Sequence, residues 1–145
     1  MLQRKQSLWL LLAALLNAGV FYFDIYKTHT VVNGVDTLGS LRVADNFPSL
    51  LIALIITGVP LITIFLYSNR KRQVNMSILS ILAIIAFVGL QLWRVTDLAK
   101  SVPPPSSGSY WIGMVLPVIA LVLLFMAIIG IRKDEKLVRS VDRLR

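Results

Sequence analysis

Few residues of this chain could do chemistry, and their spacing narrows what that chemistry could be. The one histidine, His29, shares a segment with Asp24, Asp36 and Asp45, which are all metal-ligand types. Zinc ligands come at short, regular spacings that converge on one point, and these four follow none, so no metal is expected. The chain has no cysteine, which removes thiol nucleophiles, thiolate metal sites and quinone-linked disulfide exchange. Ser49, Ser77 and Ser80 lie in apolar runs with no His or Lys there to take a proton, so none reads as an activated nucleophile. Haem needs axial ligands such as histidine, and no H-E-x-x-H metal motif is present. Proton-coupled export through a small four-helix protein needs a carboxylate inside the membrane, where charge is costly and therefore functional. None of the long apolar runs contains Asp or Glu. The expectation is a protein that is not an enzyme and carries no cofactor.

Two groups of polar residues remain as candidates. Asn17 and Gln91 each stand in the outer half of an apolar run, with Thr57, Thr63, Ser77 and Ser80 as the other polar members. On neighbouring helices the two amides could bond to each other or line a small cavity. The plainer role is to join helices, worth about 0.6 kcal/mol per contact in membranes.

The second group is the C-terminal run Arg132, Lys133, Lys136, Leu137, Arg139, Val141, Arg143 and Leu144, a candidate partner or lipid contact. Leu137, Val138, Val141 and Leu144 fall at helical spacing as a narrow apolar stripe, and Glu135 with Arg139 forms a favourable pair four apart. The tail therefore reads as an amphipathic helix. Each cation near an anionic leaflet contributes about 1 kcal/mol. Asp134, Glu135 and Asp142, which such a leaflet repels, speak instead for a partner protein.

The elements that position these residues follow from hydropathy. Of 145 residues, 57% are hydrophobic, above the roughly 45–50% of soluble domains. A span needs about 20 apolar residues to cross about 30 Å of hydrocarbon. Four runs without internal charge qualify, 8–23, 48–67, 76–93 and 111–131, giving spans at about 8–26 (extended past Asp24 to Tyr26), 48–68, 75–93 and 110–131 in a single domain of residues 1–145. Outer loops fall at 27–47 and 94–109, a cytoplasmic loop at 69–74 and a cytoplasmic tail at 132–145. Arg4 and Lys5 before an apolar run could open a signal peptide, but Leu16 before Ala18 is a poor cleavage pair. The first run is expected to stay as a helix.

Cations accumulate on the cytoplasmic side of short loops. Arg4 and Lys5, Arg70 to Arg72, and the six cations of the tail make eleven on one side, against Lys27, Arg42, Arg94 and Lys100 on the other. Both termini are thus expected in the cytoplasm of a bacterial inner membrane. So lopsided a count excludes dual-topology channels, and cations spread over membrane flanks speak against nucleic acid. Tyr22, Tyr26, Trp93, Tyr110 and Trp111 mark the outer interface, and Trp9 and Tyr67 the inner one.

Local signals fill in the connections. Asn33-Gly34 between β-branched residues predicts a small hairpin or ordered loop outside the membrane. Pro48 suits the first turn of the second helix, and Asn75 could cap the third. Pro60 and Pro117 should kink their helices. Ala14, Ala18, Ser77, Ser80 and Gly89 would allow close helix approach. "SVPPPSSGS" reads as an extended linker.

The opening "MLQRKQSLWLLLAALLNA" and the closing "IRKDEKLVRSVDRLR" resemble the two ends of an uncharacterised family of small four-helix inner-membrane proteins from Bacteroidota. Its members commonly begin Met-Ile-Gln-Arg-Ile-Gln, from which Leu2 and Lys5 depart. The resemblance implies the same fold and location, and it brings no activity and no catalytic residue.

The fold class expected is an all-α membrane protein, an antiparallel four-helix transmembrane bundle. It would carry a small extracytoplasmic β-hairpin or ordered loop and an amphipathic cytoplasmic C-terminal helix. The function expected is that of an accessory or structural subunit of an inner-membrane assembly, contacting anionic lipid and another membrane protein. The alternative is a small transporter with a polar site between helices.

Overall fold

The structure, a computed structural model, describes residues 5–32, 34–101 and 104–142, with side chains for all of these except Lys5, Val32 and residues 137–142. Four helices carry most of the chain: α1 (Lys5–Ala18), α2 (Phe47–Phe65), α3 (Arg70–Leu98) and α4 (Ile112–Asp142). Three strands make one small sheet: β1 (Tyr26–Val32), β2 (Val35–Leu41) and β3 (Ser107–Tyr110).

The helices pack in ring order, α1 on α2, α2 on α3, α3 on α4, and α4 back on α1. Their core is Leu10 and Ala13 from α1, Ala53 and Ile56 from α2, Ile84 and Phe87 from α3, and Leu124 and Ile131 from α4, all fully buried. Outward, Leu54, Ile62, Leu82, Ile85, Val122 and Ile129 are exposed. Water would not tolerate so continuous an apolar exterior. Three helical stretches, Phe47–Ser68, Arg70–Leu98 and Ile112–Lys136, are long and apolar enough to cross a membrane.

The first helix is shorter. Its apolar stretch is Gln6–Phe21, so the expected first span does not reach Tyr26, which opens β1 instead. Past a short 3-10 turn at Gly19–Phe21, the chain is tied to the segment that opens α4. Trp111 N–H donates to Ile25 O (2.9 Å) and Gly113 N–H to Asp24 O (3.0 Å).

The hairpin forms where Asn33-Gly34 predicts it. β1 and β2 pair antiparallel from Tyr26↔Leu41 to Val32↔Val35, and Gly34 turns at φ 81°, a conformation that glycine adopts without strain. The linker expectation for "SVPPPSSGS" is corrected. Its end is β3, which pairs with β1 from Tyr26↔Tyr110 to His29↔Ser107 and gives the order β2-β1-β3. Ser106 reinforces the join, its N–H (2.9 Å) and hydroxyl (2.7 Å) both donating to His29 O.

Helix ends follow capping chemistry. Asn46 caps α2, its side chain accepting from Ser49 N (3.2 Å), with Pro48 in the first turn. The cap of α3 is Asn69, which accepts from Arg72 N (3.2 Å), and not Asn75. The basic triplet 70–72 therefore belongs to the first turn of α3 and not to a loop. α2 and α4 run on through Pro60 and Pro117. α4 is one helix of 31 residues, so the tail continues the last apolar helix and is not a separate element.

Candidate functional site

The interior polar residues sit on the helices at positions where a neighbour's main chain needs them. Proline has no N–H, so a helix containing Pro60 leaves the carbonyl four residues earlier, that of Ile56, without its usual donor. Asn17, fully buried on α1, donates its Nδ2 to Ile56 O at 2.9 Å. The amide thus replaces the bond that the proline removes and ties α1 to the middle of α2.

Other buried amides also donate to the main chain of a neighbouring helix. Gln73 on α3 donates to Thr63 O at the end of α2 (3.3 Å). Gln6 on α1 donates to Gly130 O on α4 (3.0 Å) and also to the Asp134 carboxylate. Ser77 and Ser80 return their hydroxyls to Gln73 O (2.9 Å) and Met76 O (3.0 Å) within α3. Of the small residues expected at helix contacts, Ala14, Ser77 and Ser80 are buried, whereas Gly89 faces open space.

At the sheet end of the helices, Arg94 gathers three elements. One nitrogen, Nη1, lies 3.0 Å from Arg42 O, 3.2 Å from Ser49 Oγ and 3.1 Å from Gln91 Oε1. Nearby, Asp24 holds Arg42 by an ion pair at 2.6 Å and lies 4.0 Å from Lys27. Its hydrogen bond first, and its charge second, raise the Arg42 pKa above the ordinary value. Asp45 accepts from Arg42 N at 2.7 Å. Asp24 and Asp45 are thereby engaged with Arg42, and among the described residues no three His, Asp or Glu side chains gather as a metal site.

The two amides singled out in the sequence, Asn17 and Gln91, are both fully buried. No hydrogen bond joins them. Arginine only donates, so Gln91 turns Oε1 to Arg94 and leaves Nε2 without an acceptor. Asn17 turns Nδ2 to Ile56 O and leaves Oδ1 without a donor. Among the described residues the interior therefore holds one spare acceptor and one spare donor.

At the opposite end, Arg70 Nη1 donates to Asp134 O (2.8 Å), so Gln6, Arg70 and Asp134 clamp α1, α3 and α4 together. Arg132, Lys133 and Lys136 are exposed. Leu137, Arg139 and Val141 lie on α4 past its last described side chain, and Arg143 and Leu144 lie outside the described residues. Sequence reasoning missed Gln6, Gln73, Arg70 and Arg94. For Asn17 a signal for its partner was available: a proline inside an apolar helix implies a free carbonyl four residues back and a donor on a neighbour.

A family model described as Domain of unknown function (DUF4293) matches residues 2–144. No curated protein and no solved structure matches the chain.

Proposed function

The chain belongs to the family described as Domain of unknown function (DUF4293), and from that premise we propose a non-enzymatic, multi-pass integral membrane protein. It is an antiparallel four-helix bundle in a bacterial inner membrane. Both termini and the end of α4 lie in the cytoplasm, and the sheet lies outside. Its role is that of an accessory or structural subunit of a larger membrane assembly, with the end of α4 meeting anionic lipid and a partner membrane protein.

The observation that carries this reading is the use of the interior amides. Asn17, Gln73 and Gln6 donate to main-chain carbonyls of neighbouring helices, which spends polar groups on joining helices. The apolar exterior and the cations gathered at one end support the membrane orientation. Because Asp134 is part of the clamp on α1 and α3, at least one acid of the tail serves the fold. The docking argument therefore moves to residues 137–145.

Purification in mild detergent should recover a stoichiometric partner, and deletion of residues 137–145 should weaken that association while the clamp stays intact. A protein that purifies alone in several detergents would refute the subunit role. Because the chain has no cysteine, single-cysteine variants at Arg72 and Thr37 report topology directly. Labelling of both from one side of the membrane would overturn the orientation.

A second reading, a small transporter, is favoured by the spare Asn17 Oδ1 and Gln91 Nε2. It requires water to reach them. Asn17→Cys or Gln91→Cys would then react with small aqueous thiol reagents in intact vesicles, and unreactive cysteines at both positions would remove this reading.

A further inference from the structure

We propose that the cationic end of the α3–α4 groove is a discrete site for a phospholipid whose headgroup carries two phosphates. The proposal rests on the membrane placement argued above and adds one specific ligand to it.

The helical step of about 100° per residue assigns each cation to a flank. On α4, Gly130 and Asp134 mark the side facing α1, because both bond Gln6. Arg132 and Lys136 lie past the buried Ile131 on the other flank, toward α3, and both are exposed. On α3, Gln73 marks the side facing α2 through its bond to Thr63 O. Lys71, also exposed, lies on the opposite flank, toward α4. Three cations therefore overlook one groove. The bond from Arg70 Nη1 to Asp134 O (2.8 Å) fixes the two helix ends beside each other at its base.

Among the described residues these three cations outnumber the one acid on the same flank of α4, the half-buried Glu135. The first turn of α3 holds no acid, and no ion pair of Lys71, Arg132 or Lys136 appears among the described residues. Arg132 and Lys136 are like charges four apart on one helix, an arrangement that is destabilising by itself. Packed helices are about 8–10 Å apart, so a headgroup with two linked phosphates can meet cations on both walls where a single phosphate meets one.

Below the cations the same groove turns apolar. Ile78 from α3 and Phe125 from α4 are exposed on the flanks that carry these cations. Cations at the mouth and hydrocarbon below match a phospholipid, with headgroup above and acyl chains beneath. Basic grooves between helices on the cytoplasmic side are suited to such headgroups.

The test uses the full-length protein in phosphatidylcholine nanodiscs doped with diphosphatidylglycerol, or with phosphatidylglycerol matched for phosphate. Native mass spectrometry then counts the lipid retained on release. The expected result is one retained diphosphatidylglycerol, with affinity falling roughly fivefold per cation removed and about 25-fold in Lys71→Gln/Arg132→Gln. Lys71→Arg/Arg132→Lys should keep it, and Lys100→Gln at the opposite end should change nothing. Equal retention of phosphatidylglycerol or phosphatidylcholine, or retention unaffected by the double neutralisation, would overturn the site while leaving the membrane reading intact. A chain that does not enter nanodiscs at all would overturn both.

Discussion

The contact between Asn17 and the carbonyl freed by Pro60 can be tested by a double-mutant cycle. In Asn17→Leu, Ile56 O loses its 2.9 Å partner, and the spare Oδ1 is removed as well. These effects oppose each other, so the single variant alone is a poor measure. In Pro60→Ala, residue 60 regains an N–H that can reach Ile56 O along the helix. Asn17→Leu on that background still removes Oδ1 but no longer strands the carbonyl. The difference between the two Asn17 substitutions isolates the cost of leaving Ile56 O unsatisfied. A buried unpaired polar group costs about 1–3 kcal/mol, and interhelical bonds in a membrane protein reach about 1.7 kcal/mol at most. A coupling energy of about 1–2 kcal/mol follows. The assay is reversible unfolding in mixed micelles, followed through the fluorescence of the three tryptophans, for all four cycle members. Additivity within about 0.5 kcal/mol would refute the idea that Asn17 replaces the missing proline donor.

Three further outcomes are expected. Gln6→Leu should cost about 1–2 kcal/mol, because it removes the donor to Gly130 O and to a carboxylate, and amide exchange should quicken first near residues 130–136. Gly113→Ala should destabilise the protein by about 1–3 kcal/mol, as for other overpacked sites, since a Cβ there would stand 2.6 Å from Asp24 O and 2.7 Å from Phe23 O. Its thermal midpoint in detergent is the readout, and an unchanged midpoint would show that this approach is looser than described. Asn46→Ala should cost about 1 kcal/mol through loss of the cap on α2, and Asn46→Ser should recover most of it.

The hairpin was legible because Asn33-Gly34 is a local signal with a local cause: a tight turn needs positive φ, and glycine takes it. Pro48 and the long apolar runs were legible for the same reason. The cap of α3 was not, since Asn69 and Asn75 are chemically alike and only the path of the chain chooses between them. The first helix was read as too long because Tyr22 and Tyr26 look like its interfacial end, whereas bonds from Trp111 and Gly113, nearly ninety residues away, draw that segment toward the sheet. β3 was hidden for a related reason. "SSGSY" has little strand character of its own and is a strand through its pairing with β1.

The candidate residues divide along the same line. That Asn17 and Gln91 are unusual could be seen from their polarity in apolar runs, and their burial follows. Which groups they meet could not be seen. An amide side chain accepts and donates equally well, so its partner depends on how two helices are rotated about their axes. Asn17 meets Ile56 O, and Gln91 meets Arg94.

The linear order of residues was enough to establish which stretches prefer hydrocarbon and where cations accumulate, because transfer free energy and charge belong to each residue wherever it sits. Packing alone decided that a proline on one helix is answered by an asparagine on another. It also decided that Asp134 joins Gln6 and Arg70. Those outcomes are distances between segments far apart in the chain, and distance is a property of the folded whole.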